Sequence, residues 1–273
     1  MWVLVAALTL TGAVQAAPAA AVQTAPAVAA QATPAVAVTT FDQWWPEVAT
    51  RLERGALTGK DVDLREARGI LLRGLGTQLT PAQSGLAGYA LGYADWRLVR
   101  VPGLKKEEVI SLLEEAAARL QEVVAADPKN AEAQALLAGV YGSQMGFVAS
   151  LGVELGPKAS AALEKAVKLE PTNPRVVFLQ GTSAFHTPPA YGGSVEKAEV
   201  LYKKALILFE TEPRDRPWPN WGRADLHVWM GQLLEKRGDT TGARAEYNKA
   251  LVAEPTFGWV KHVLLPRLEA APK

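Results

Sequence analysis

Cysteine is absent from the 273-residue chain. That absence excludes disulfides, thiolate metal sites, thiol redox chemistry and a cysteine nucleophile, and with them the lipidated N-terminal cysteine of a lipoprotein. Histidine is scarce. His186, His227 and His262 form no HExxH pair, and none has a second His or Cys near it in sequence to complete a metal set. Neither GxSxG nor GxxxxGK[ST] occurs, so the signatures of a nucleophile elbow and of a phosphate loop are missing too. Nor does charge of one sign dominate. With 29 Lys and Arg against 28 Asp and Glu the formal net charge is +1, and the basic residues are scattered, so no nucleic-acid footprint is expected. Glu107-Glu108 and Glu114-Glu115 read as the solvated face of an amphipathic helix rather than as catalytic pairs. No cofactor is implied, and the chain is not read as an enzyme.

Long hydrophobic runs are also lacking. The N-terminal stretch Met1–Leu10, MWVLVAALTL, is too short to span a bilayer. Small residues follow it, with Val14 and Ala16 spaced as the −3 and −1 positions of a cleavage site, although no Lys or Arg precedes the apolar stretch. Residues 1–16 are therefore expected to be a signal peptide, which makes the protein periplasmic or secreted, with no membrane span in the mature chain. Residues 17–40 hold almost only Ala, Pro, Val, Gln and Thr, and no charge occurs until Asp42. Repeated prolines interrupt any helix there and alanine cannot build a core, so a disordered tether is expected.

From residue 41 onward helical periodicity dominates. Ala198, Leu201, Tyr202, Ala205, Leu206 and Phe209 fall at i, i+3, i+4, i+7, i+8 and i+11, a single apolar stripe, with Ser194 placed to cap the helix. An acidic-Pro pair recurs at Asp127-Pro128, Glu170-Pro171, Glu212-Pro213 and Glu254-Pro255, the prolines standing 43, 42 and 42 residues apart. A proline that follows a helix forbids its continuation, so these pairs predict repeated helix ends. Asn130 and Asn173 stand two residues beyond their prolines, suited to cap the next helix, and Pro174 occupies a first helical position.

In the last unit, Ala243, Tyr247, Ala250 and Pro255 lie 12, 16, 19 and 24 residues after Gly231. These spacings resemble the tetratricopeptide repeat, a helix–turn–helix unit of ~34 residues. Small residues at Gly231, Ala243 and Ala250 let two antiparallel helices approach, while Met230, Leu234 and Tyr247 fill the space between. Two earlier units fit with insertions, nine residues between Ala138 and Ala159 and five between Gly181 and Ala198. A degenerate unit is expected from Leu86 to Pro128. Phe41–Arg54 and Leu64–Leu79 read as a capping helical pair at the start, and Trp259, Val260, Val263 and Leu264 as a capping helix at the end. The expected fold is all-α, a TPR-like α-solenoid of antiparallel hairpins over residues 41–273.

The segments NPRVVFLQGTSAFHTPPAYGGSVEKAEVLYKKAL and PWPNWGRADLHVWMGQL, with GDTTGARAEYNKALVAEPTFGWVKHVLLPRL after them, resemble a family of exported bacterial tetratricopeptide proteins. That likeness runs from about Leu86 to Leu268 and implies a scaffold for protein or peptide partners. Residues Thr187–Ala198, TPPAYGGSVEKA, are also similar to a loop and helix in the periplasmic T-component of TRAP transporters. It implies, as an alternative, a transporter-associated or small-ligand-binding protein.

Groove-facing positions follow from the tetratricopeptide register, in which the first helix of each unit lines the concave face. They are Gly139, Gly142 and Ser143, then Arg175, Phe178, Thr182, Phe185 and His186, then Val228, Gln232 and Glu235. Two loops add aromatics. In His186–Gly193, HTPPAYGG, the glycines permit a positive φ or a close approach, and Tyr191 either packs on a neighbouring helix or stands at the groove mouth. In Pro213–Gly222, PRDRPWPNWG, Trp218 and Trp221 either staple the loop to its own domain or anchor a partner, the staple being commoner for tryptophans in a Pro-rich loop.

Overall fold

The four acidic-Pro pairs are where helices stop. In the computed structural model, which describes residues 40–58, 61–213, 215 and 218–270, Asp127, Glu170, Glu212 and Glu254 each stand at the C-terminal cap of a helix. The expected signal peptide and, apart from Thr40, the tether lie outside the described residues. Ten helices pair in sequence. They are α1 (Phe41–Thr58) with α2 (Asp61–Leu75), α3 (Pro81–Leu98) with α4 (Lys106–Ala126), α5 (Ala131–Phe147) with α6 (Gly152–Leu169), α7 (Pro174–His186) with α8 (Val195–Thr211), and α9 (Arg223–Lys236) with α10 (Thr240–Ala253). A π-helical segment, Val260–Leu264, leads into α11 (Leu265–Ala270). No strand occurs among the described residues, and none of their helices is long and apolar enough to cross a membrane.

Local chemistry sets the helix starts. Thr80 and Gln83 form a reciprocal capping box with Pro81 as the first helical residue. Asn130, Asn173, Ser194 and Asp239 each accept a bond from a backbone N–H of the first turn that has no partner within the helix. The first helices α1, α3, α5, α7 and α9 contact one another in succession, and each second helix packs against the first helix of the next pair. This is the layering of an α-solenoid, with an inner row of first helices and an outer row of second helices.

Glycines on the first helices set how close the rows come. A Cβ on Gly231 would lie 2.3 Å from the Tyr247 ring, and one on Gly181 would lie 2.6 Å from Tyr202. Gly88 and Gly92 admit Val123 and Leu120 in the same way. The degenerate unit around α3 is thus built on the same glycine–bulky pairing as the clearest repeat. Helix α3 is buried all round from Ala87 to Leu98, because α1, α2, α4 and α5 surround it. That also explains why its apolar residues show no stripe.

The larger insertion is absorbed as helix length with a single 3-10 turn, Ala149–Leu151, and Pro157 lies within α6. At the C-terminus Phe257, Val260 and Leu264 cover Ala243, Tyr247 and Ala250, while Val263 stays exposed. The last repeat is capped as expected, with Phe257 rather than Val263 in the seam.

Candidate functional site

The inner row is covered along α1, α3 and α7 by the chain itself. The connector between α8 and α9 turns inward, and Trp218 and Trp221 are both buried. The Trp218 ring meets Trp45 of α1 at 5.6 Å and Tyr89 and Tyr93 of α3 at 5.4 and 5.7 Å. Trp221 stacks on Tyr93 at 5.1 Å, meets Trp96 at 6.1 Å and reaches Phe178 of α7 at 6.3 Å. Its indole N–H donates to the Tyr89 hydroxyl at 3.1 Å. Gly222 closes the connector with φ +113°, and a Cβ there would lie 2.8 Å from the Phe209 ring, so glycine meets both demands.

Arg175 holds this connector. Its side chain is fully buried and forms a fork with Glu212, at 3.1 and 2.5 Å, while Nε donates to Glu132 at 3.2 Å. The same guanidinium donates to the carbonyls of Pro219 at 2.9 Å and Trp221 at 3.3 Å. Every edge of the guanidinium is engaged, which is what a buried arginine requires. Burial pushes the Tyr89 and Tyr93 hydroxyls above the ordinary tyrosine value, so both remain protonated in this cluster.

The groove assignments are corrected accordingly. Arg175 and Phe178 point inward as expected but lie beneath the connector, out of reach of any partner. Trp218 and Trp221 are staples. The Thr182 hydroxyl accepts from Tyr202 at 3.4 Å and donates to the Phe178 carbonyl, so it belongs to the seam between α7 and α8. Glu235 accepts from Tyr247 at 2.5 Å and Arg267 at 2.6 Å, and Val228 packs in the same C-terminal cluster. The inward face of α9 is instead the stripe Asp225, Trp229, Gln232, Lys236, at i, i+4, i+7 and i+11, which the helical period already contains. His186 and Gln232 remain accessible. Tyr191 is 82% exposed. Its loop uses each glycine differently. Gly192 takes φ +86°, and a Cβ on Gly193 would collide with the Thr187 carbonyl.

Beside the connector, residues that sequence reasoning passed over, Arg100, Trp96, Trp229 and Lys236, meet His186, Phe185 and Ser143, which it named. Arg100 lies 4.5 Å over the Trp96 ring and 5.8 Å from that of Trp229. Trp96 donates to Ser143 of α5 at 3.0 Å. His186 stands edge-on to Trp229 at 5.0 Å, and Lys236 Nζ is 4.8 Å over the Phe185 ring. Below them Arg97 and Asp225 form a buried pair at 2.6 Å, and Arg97 also donates to the Ala56 carbonyl. Arg100 reaches the same Asp225 at 3.6 Å. Burial and the adjacent Arg97 charge lower Arg100 to about 10, which leaves it charged at neutral pH. Gly142 of α5 faces open space, a bare patch beside Ser143, whereas a Cβ on Gly139 would touch Leu179 at 3.3 Å.

A cleft of about 170 Å³ opens next to Trp218, between α1 and the start of α9. It is smaller than the ~300 Å³ at which small-molecule pockets begin. Among the described residues no group of three or more His, Cys, Asp or Glu is placed to hold a metal ion.

No protein-family model matches the chain, and no curated protein sequence matches it. Among solved structures it is similar to MamA 41-end from Desulfovibrio magneticus RS-1, with a TM-score of 0.40 and 17% identity, over 81% of this chain and 98% of that one. A superposition that loose carries no argument about function, and the fold rests on the helix pairs themselves.

Proposed function

We propose that this chain is a non-catalytic scaffold that binds a protein or peptide partner through the open strip of its concave face and works in the periplasm or cell envelope. The observation that carries this reading is the filling of the inner curve by Trp218 and Trp221. What that filling leaves is a shallow ledge with accessible His186, Gln232 and Lys236 and the exposed Tyr191 nearby, a form suited to a macromolecular surface rather than to an enclosed substrate. The buried acids support the non-catalytic part. Buried Asp225 is engaged by Arg97, Asp95 by Arg68 and Glu246 by His227 and Lys249, and the partly buried Glu132 and Glu212 by Arg175, pairings that tie helices together. The envelope location is supported by the short apolar N-terminus and the small residues at positions 14 and 16.

The test is site-specific photocrosslinking in cells of the native host. A photoreactive residue at position 232 or 191 is expected to capture a discrete protein, and the same residue at exposed position 248 of α10 is not. Equal capture at all three positions, or none at 232 and 191, removes the reading.

A further inference from the structure

We infer that the ledge formed by Arg100, His186 and Lys236 over the Trp96–Trp229–Phe185 floor recognises an acidic segment of a protein partner, an inference that rests on the scaffold reading above. Three basic side chains from three different parts of the chain converge there. Arg100 follows the end of α3, His186 ends α7 and Lys236 ends α9. Their closeness is felt at His186, which desolvation and the fields of Lys236 and Arg100 hold below the ordinary histidine value.

Charge on the ledge is not balanced from below. Asp225 accepts a short bond from Arg97 at 2.6 Å and makes only a longer contact with Arg100 at 3.6 Å, so one carboxylate serves two guanidiniums. The acid nearest Lys236 in sequence, Glu235, is turned to Tyr247 and Arg267 on the far side of α9. The outer acids Glu196 and Glu199 are engaged by Arg237.

The floor favours a ligand in two ways. Aromatic faces hold the Arg100 and Lys236 cations in place before anything binds, and they exclude water from one side, which strengthens a carboxylate contact made on the other. A guanidinium placed over the Trp96 ring at 4.5 Å still has N–H groups for a carboxylate fork. A chain with a net charge of only +1 and two standing cations on this ledge, Arg100 and Lys236, does not make the many phosphate contacts that nucleic-acid binding draws on. Carboxylates on a peptide match the count and the open shape.

The experiment uses the full chain and fluorescein-labelled hexaglutamate, with hexaglutamine and an oligothymidylate of six nucleotides as comparisons, read by fluorescence anisotropy at low and high salt. Hexaglutamate is expected to bind most tightly and to weaken with salt. Lys236→Gln and Arg100→Met are each expected to weaken it about tenfold, the loss of one charged hydrogen bond, while Lys261→Gln leaves it unchanged. Thermal melts establish that each variant is folded, and Lys236→Gln carries the test if Arg100→Met is not. A second readout is the His186 ring in a proton NMR titration, whose midpoint should rise when hexaglutamate is bound. Absence of hexaglutamate binding, equal binding by Lys236→Gln, or tighter binding of the oligothymidylate overturns the inference. Crosslinking from positions 232 and 191 can succeed in each of those cases, so the acidic-ligand inference can fall while the scaffold reading stands.

Discussion

At Gly231 the absence of a side chain decides the geometry of a whole hairpin. Alanine is the better helix former by up to ~1 kcal/mol, yet its methyl would sit 2.3 Å from a Tyr247 carbon that is itself buried. Overpacking of that kind costs ~1–3 kcal/mol, so Gly231→Ala is expected to destabilise the fold. Gly142 is the opposite case. It lies in the interior of α5 with nothing within 4 Å, and Gly142→Ala is expected to stabilise by ~0.5–1 kcal/mol. Urea denaturation of the two variants measures the contrast. Stabilisation by both would show that helix propensity, and not close approach, governs these glycines.

Among the elements, the first hairpin depends most visibly on ionisation. Arg54 of α1 donates to Asp63 of α2 at 2.7 and 2.5 Å, and Arg51 adds a contact at 3.2 Å. The Arg54 hydrogen bonds hold the Asp63 carboxyl below its ordinary value of 3.8. A carboxyl whose folded value is depressed contributes stability that is fully present above the unfolded value and is lost as pH falls through the folded one. Stability of the α1–α2 hairpin is therefore expected to decline in acid below about pH 4, with Asp63→Asn flattening that decline at the expense of stability at neutral pH. Chemical denaturation followed across this range, wild type beside Asp63→Asn, checks it. Parallel acid profiles would assign the decline to other groups.

Over the whole molecule, the ends of the solenoid are tied through its middle. Arg97 of α3 bonds the Ala56 carbonyl at the end of α1 and Asp225 at the start of α9, while Trp218 joins α1 to α3 and Trp221 joins α3 to α7. An open repeat array has only neighbour contacts and can lose its ends separately. Here Trp218→Ala is expected to cost ~3–5 kcal/mol and to raise hydrogen exchange in α1, α3 and α9 together. Faster exchange confined to the connector would mean that the tie is local. On the proposed scaffold reading, the same closure leaves the Arg100–His186–Lys236 side for a partner.

Helix ends, caps and hairpin pairing were legible in the chain because each depends on residues close in sequence. Proline cannot continue a helix, asparagine satisfies backbone donors of the first turn, and glycine opposite tyrosine at a fixed spacing permits close packing. The site was only partly legible. The repeat register named His186 and Gln232 and the loop composition named Tyr191, while the register could not show that Glu235 accepts from Tyr247 and Arg267. The fate of Arg175, Trp218 and Trp221 depended on Glu132, Tyr89, Tyr93 and Trp45, which lie from roughly forty to more than a hundred and seventy residues away. Local propensity is silent about which distant surface a proline-rich connector will cover. Sequence alone determined that this chain stacks helical hairpins. Tertiary structure alone decided that one of its connectors fills the groove those hairpins create, because burying two tryptophans against an aromatic wall removes more apolar surface from water than leaving them exposed.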